Sequence, residues 1–299
     1  MIRTTYIIAV LVAAGLGVTN LAAEEQKNDW GISPYIGLYQ PKLTDLNKGA
    51  FLAPFLGQAD FIDPTSQNRT ETFNYQTPLP PLNPGTLAGL EAQWRINDKS
   101  ALILGVGTWE AVSSVASVGN LPIEGNLERT DMLRKADISF NEFYLGWRYN
   151  FHDQPGKYRL YVTGTLHQVF DLDYREDWTN VFLSGDVRTF RKTTVIAGQA
   201  TGLSLLEGIV GGEWFFTDWF SLGIEAGYRY APSDIELSQA TIRTDVLATD
   251  NLSVQYPLRN GNDGRVDYNA RPGNGIFGYD DLKLDFSGWL SVFKATVYF

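Results

Sequence analysis

Ten charged residues (Glu91, Arg95, Glu142, Arg148, Arg159, Glu207, Glu213, Glu225, Arg229 and Lys294) fall on the polar side of segments whose other side is apolar. Acids and bases are matched among them, and two chemistries follow. In a sealed interior they pair into a network, because a lone buried charge is too costly to keep. Around a wider passage, the same groups form a gated polar path whose salt bridges open for a small solute. The paired network is the favoured reading.

Catalytic chemistry has less to work with. The chain holds two histidines, His152 and His167, and no cysteine. That removes a cysteine nucleophile and a thiolate metal cluster. His167 has Asp171 and Asp173 beyond it, but it shares the parity of the inward charges and reads as a hydrogen-bonded structural residue. His152 falls in a short turn and reads as solvated. The run Asn260-Gly261-Asn262-Asp263-Gly264 hints at calcium, yet it lacks the spacing and final Glu of an EF-hand loop and reads as a sharp turn. No catalytic residue, metal ligand or cofactor is expected. With 24 Lys+Arg against 34 Asp+Glu, the net charge of −10 has the wrong sign for a nucleic-acid partner. A content of 44% hydrophobic and 13% aromatic residues is unlike that of a disordered chain.

The elements that carry the charges read with period two. Ala88, Leu90, Ala92, Trp94 and Ile96 alternate with Gly89, Glu91, Gln93 and Arg95; Leu222, Ile224, Ala226, Tyr228 and Tyr230 alternate with Ser221, Gly223, Glu225, Gly227 and Arg229. Alternate side chains of a strand face opposite sides of the sheet. Eight segments of this kind are predicted, at 30–39, 87–96, 101–111, 139–151, 158–170, 203–216, 220–230 and 284–299. Three connections are short turns. The other four, 40–86, 112–138, 171–202 and 231–281, are long. Short turns at one end and long loops at the other, with apolar-out and polar-in alternation, are the pattern of a transmembrane antiparallel up-and-down β-barrel. Trp94, Trp147, Tyr149, Phe151, Trp214, Phe216 and Trp219 flank the short turns as an interfacial belt.

Both termini fit that reading. Arg3, the apolar run from Ile7 to Val18, and Leu21-Ala22-Ala23 before Glu24-Glu25 have the layout of a cleaved signal peptide over 1–23. The barrel domain would then be 24–299. In the last segment, Trp289, Ser291, Phe293, Ala295, Val297 and the terminal Phe299 share one face. With the signal peptide and Gly227 to Tyr230, this resembles the small bacterial outer-membrane barrels of the broad OmpA/OmpW-like eight-stranded family. Ser291 departs from the pattern, where a larger apolar residue is commoner.

The resemblance implies a Gram-negative cell envelope protein of the outer membrane, surrounded by lipid and lipopolysaccharide. It also makes Phe293, Ala295, Val297 and Phe299 a C-terminal signal read by the barrel assembly machinery. Some barrels of this kind are lipid A deacylases, palmitoyltransferases or proteases. A barrel deacylase would carry its serine two residues from the histidine on the lipid side, and here that position is Val169. The expected function is therefore non-enzymatic: an envelope scaffold, or a narrow, porin-like passage for a small solute beneath large surface loops. A porin with extra strands, a loop-based adhesin or receptor, and a lipid-modifying enzyme are the alternatives. In loop 40–86, Thr44-Asp45-Leu46-Asn47 could cap a short helix, and Phe51, Phe55, Phe61, Phe73 and Tyr75 could pack on the barrel mouth or meet a ligand. In loop 231–281, Thr241 to Leu247 and Arg265 to Asn269 read as strand extensions above the membrane.

Overall fold

The computed structural model describes residues 29–43, 81–82, 84–123, 126–154, 156–184, 187–236, 238–248, 253–255 and 283–299. The expected signal peptide over 1–23, the expected helix cap at Thr44 to Asn47, the loop aromatics Phe51 to Tyr75, the expected turn at Asn260 to Gly264 and the expected extension at Arg265 to Asn269 lie outside them. The described elements are all strands: β1 (Trp30–Pro41), β2 (Gly85–Asn97), β3 (Ser100–Ile123), β4 (Asn126–Gln154), β5 (Tyr158–Ser184), β6 (Val187–Ala200), β7 (Leu203–Thr217), β8 (Phe220–Tyr230), β9 (Ile235–Glu236), β10 (Ser238–Ala248), β11 (Ser253–Gln255), β12 (Lys283–Leu284) and β13 (Gly288–Tyr298).

Eight of these close into a ring in which every neighbour is antiparallel, running β1-β2-β3-β4-β5-β7-β8-β13 and back to β1. The predicted eight-stranded up-and-down barrel is thus the observed one, and closure leaves the ring without an unpaired edge. Burial alternates along the strands as the sequence does. In β8 every second residue from Ser221 to Arg229 is buried, Gly223, Glu225 and Gly227 among them. On the outer surface Ile36, Leu104, Val106, Leu166, Val210 and Ile224 are each more than half exposed. Trp30 and Trp94 stack at 5.7 Å at the short-turn end, where Trp147, Trp214, Trp219 and Phe299 also face outward.

The main departure from expectation is at the other end. Segments 112–138 and 171–202 are not loops. β3 and β4 stay paired from Ser100↔Tyr149 up to Ile123↔Asn126. β5 pairs with β7 over its first half and with β6 over its second, Leu172↔Ala200 to Ser184↔Val187. The exchange of partners happens where Asp171 and Gly202 take φ of 51° and 86°, a left-handed conformation that only Gly adopts freely and Asp tolerates. β10 then pairs with β6, and β11 with β10. The expected extension at Thr241 to Leu247 lies within β10. A sheet of β3, β4, β5, β6, β10 and β11 therefore rises beyond the ring.

Inside the ring, glycine makes room for tyrosine. Any side chain at Gly105 would run into the Tyr144 ring, and one at Gly89 into the Tyr35 ring. Gly105→Val is expected to displace Tyr144 and destabilise the barrel by about 1–3 kcal/mol, the usual cost of overpacking. Urea unfolding, followed by the gel mobility of folded against unfolded chain, checks this, and Gly164→Val at an open outward position is the control expected to cost less.

Candidate functional site

Eight strands leave a lumen just wide enough for side chains to fill it. Here it is filled in layers. Nearest the short turns, Arg159 Nη1 donates to Glu213 Oε1 at 2.7 Å and Arg159 Nε to Asp153 Oδ2 at 3.1 Å. Tyr298 and Ser221 complete Glu213 by donating to its other oxygen at 2.7 and 3.0 Å. Arg95 lies at the rim of this layer, within 3.8 Å of Asp153 and 3.3 Å of Asp98, with its side chain 28% exposed.

The middle layer holds two cations between two carboxylates. Arg148 reaches Glu91 at 2.9 Å, Glu225 at 3.3 Å and the Gln93 side-chain carbonyl at 2.7 Å. Lys294 Nζ sits 2.7 Å from Glu91 and 2.8 Å from Glu225. Tyr161 donates to Glu225 at 2.9 Å, and its ring lies 4.0 Å beneath the Arg148 guanidinium, a cation–π contact. Tyr144 donates to Glu91 at 3.3 Å.

In the upper layer Arg229 grips Glu142 through two parallel bonds of 3.0 and 2.9 Å and donates from Nε to Glu207 at 2.6 Å. A planar fork on a carboxylate is the strongest geometry available to arginine. His167 stands between the same two acids, with Nδ1 3.1 Å from Glu142 and Nε2 3.3 Å from Glu207. His152, by contrast, is exposed at the short-turn end and stacks on Tyr158.

Above the charges the lumen turns apolar. Tyr39, Leu43, Leu82, Trp109, Phe140, Leu284 and Phe286 are all at most 2% exposed. Trp109 packs on Phe140 at 5.2 Å and edge-on to Phe286 at 6.1 Å, and its Nε1 donates to the Tyr39 carbonyl at 3.2 Å. The chain holds this cap in place beyond the ring: Lys42 N and Leu43 N donate to the Ser287 and Asp285 carbonyls, and Lys42 pairs with Asp285 at 3.2 Å. Partial burial pushes the Asp285 carboxyl up, but the hydrogen bonds from Ser287 and the Lys42 charge outweigh it and hold the group below the usual carboxylate range.

Of the ten charges singled out by the sequence, nine are buried in the lumen and paired there; Arg95 lies half-buried at its rim. The face of β13 bearing Phe293, Ala295, Val297 and Phe299 points outward. The sequence reading missed Tyr35, Tyr144, Tyr161, Tyr298, Thr163, Thr165 and Asp153. Parity was the available signal, since Tyr144 shares the parity of Glu142 and Arg148, and Thr163 and Thr165 share that of His167.

Fold and lumen together define a class, that of a closed antiparallel eight-stranded barrel filled by ion pairs and capped by aromatics. No protein-family model matches the chain, and no curated protein matches it. Among solved structures it is similar to CarO of Acinetobacter baumannii, at 12% identity over 71% of this chain and 92% of that one, with a TM-score of 0.32. CarO2 of the same organism gives 13% identity, the same coverage and a TM-score of 0.31. The transport unit of the autotransporter AIDA-I from Escherichia coli gives 12%, 98% and 97% coverage, and 0.20. The ring itself rests on this chain's own strand pairing.

Removing one partner of a buried pair strands the other, which costs about 3–5 kcal/mol. Arg148→Met, which leaves Glu91 and Glu225 with one cation, is expected to lose that much in urea unfolding of the refolded barrel. Adding Glu225→Gln should recover part of the loss, so that the double variant is more stable than the sum of the two single changes.

Proposed function

We propose that this chain is an integral protein of the bacterial outer membrane, exported behind a cleaved 1–23 segment. Its barrel is closed, and it acts as an envelope scaffold carrying a surface platform of β-sheet. The observation that carries this reading is the inversion of the surface: the outside of the ring is apolar, while the charges are inside and paired. In water that arrangement is unfavourable on both counts; in hydrocarbon it is the favourable one, and a closed barrel satisfies every backbone group there. The eleven residues of β13, at roughly 3.3 Å each and tilted by about 40°, rise about 28 Å, close to the thickness of a bilayer core.

The interior supports a plug rather than a passage. Three layers of ion pairs cross the lumen, and an apolar cap covers them. His167 has both ring nitrogens engaged with Glu142, Glu207 and Thr165, which leaves none to serve as a base and supports a non-enzymatic role. The outward Phe293, Ala295, Val297 and Phe299 are assigned to recognition by the assembly machinery, and the surrounding partners are outer-membrane lipid and lipopolysaccharide. What works at the surface is the sheet beyond the ring, built by β3 to β6 with β10 and β11.

Planar-bilayer recording tests the plug. Chain 24–299, shown to be folded by heat-modifiable gel mobility, is expected to give no steady conductance; regular open channels would overturn the closed-barrel reading. An epitope inserted between Ile123 and Asn126, at the tip of the β3–β4 hairpin, is expected to be labelled on intact cells. Labelling only after the outer membrane is permeabilised would reverse the orientation.

A further inference from the structure

The upper layer contains a directional puzzle. Thr165 Oγ1 lies 3.1 Å from Glu207 Oε1 and 2.8 Å from His167 Nε2. Threonine has one hydroxyl proton. A carboxylate can only accept, so that proton points at Glu207, and the hydroxyl oxygen must accept from Nε2. Nε2 is itself 3.3 Å from the same Glu207 oxygen, where a bare nitrogen lone pair would be repelled. On the other side of the ring, Nδ1 lies 3.1 Å from Glu142 Oε2, which already accepts from Arg229 Nη1 at 3.0 Å. That oxygen again needs a donor facing it, so both ring nitrogens must carry hydrogen.

The charge count agrees. The middle layer sets Arg148 and Lys294 against Glu91 and Glu225, and the lower one sets Arg159 and Arg95 against Glu213 and Asp153, with Asp98 beside Arg95 exposed to solvent outside the lumen. The upper layer sets only Arg229 against Glu142 and Glu207, and it is neutral only with a second cation. We infer that His167 is that cation, a sealed imidazolium, and that its second proton is a removable lock holding β4, β5 and β7 together across the lumen.

The groups facing it come from every neighbouring element. They are Glu142 and Tyr144 of β4, Thr165 of β5, Glu207 of β7 and Arg229 of β8. Tyr39 of β1 faces the layer through Arg229, and Tyr35 of β1 through Tyr144. The Tyr144 ring stacks on the imidazole at 4.6 Å, a face that favours a cation. The buried Arg229 opposes it, and the two carboxylates outnumber Arg229. Losing the proton would leave the layer with one net negative charge and one acceptor nitrogen facing acceptor oxygens. The inference rests on the lumen geometry alone and does not depend on which membrane holds the barrel.

Nitrogen-15 labelling of histidine in the refolded full barrel tests it directly by NMR. His152→Gln, at the exposed histidine, leaves His167 as the one remaining signal. Two proton-bearing ring nitrogens at neutral pH are expected, with one lost on going to alkaline pH. A single-proton tautomer at neutral pH would overturn the inference and move the proton to Glu207 or Glu142. A second readout separates a lock from a passive filler. The midpoint of heat unfolding is expected to fall for the parent barrel as pH rises from neutral to alkaline, because the stabilising proton is present in acid and lost upward. It should fall less for His167→Gln, which keeps a donor to one carboxylate but cannot titrate. Parallel curves for the two proteins would count against the lock; a variant that fails to fold leaves the NMR experiment on the parent side chain as the deciding result.

Discussion

Charge neutrality inside a narrow closed sheet is the constraint on which the rest of this structure depends. A ring of eight strands has two faces, and period-two alternation sends every second side chain inward whether or not there is room for it. Once the outer face is apolar, the polar residues have nowhere else to go. Each inward acid must then meet a base within reach of its own layer, because a stranded charge costs several kcal/mol there. Glu91 and Glu225 come from β2 and β8, and the cations that satisfy them, Arg148 and Lys294, from β4 and β13. Arg148 with Glu225 and Arg229 with Glu142 cross the lumen, while Lys294 with Glu225, Arg159 with Glu213 and Arg229 with Glu207 join neighbouring strands. The crossing pairs therefore fix which strands face one another, and the ring closes in a register that keeps the layers matched.

Glycine follows from the same crowding. Long inward side chains need space, and the wall provides it where the opposite residue has no Cβ. Tyr144 lies over Gly105 and Tyr161 over Gly211. Both rings then turn their hydroxyls into the charge layer, at Glu91 and Glu225. A glycine-rich inward face thus belongs to the charge network: it is the gap into which the hydrogen-bonding aromatics fit.

That logic explains what could be read from the chain and what could not. Parity assigns an inward or outward direction to every residue of a strand whose outer face is apolar, so Glu142, Arg148, Glu207 and Arg229 were legible. It gives no height and no partner, so the bond from Arg229 to Glu142 was not. The extensions were missed because their outward faces are no longer apolar. Asp131, Lys135 and Asp137 of β4 and Asp173, Arg175 and Asp177 of β5 alternate with mixed residues, and without a hydrophobic contrast period two has no signature. The cap escaped for the opposite reason. Phe140 is an apolar residue on the parity that lower in β4 carries Glu142 and Arg148, and Trp109 follows Gly105 and Gly107 on its face of β3, so the contrast between the faces is lost although the strands run straight on.

Two seals of different physics therefore close one lumen, and their order matters. At the short-turn end, Arg95 and Asp153 are partly exposed, so water reaches the lowest ion pairs and screens them. At the other end, Leu43, Trp109 and Phe286 exclude it. The effective dielectric falls from the lower layer to the upper one, and the same ion pair becomes stronger, and dearer to break, toward the cap. The upper layer is also the one whose acids are gripped most fully, by the two-pronged Arg229 and by a histidine with donors on both sides. An arginine kept dry beneath aromatics would be a liability if its acids were not saturated. With them saturated, it ties β4, β7 and β8 together at the level where β5 leaves β7 for β6, the one place where the wall of the ring changes partners.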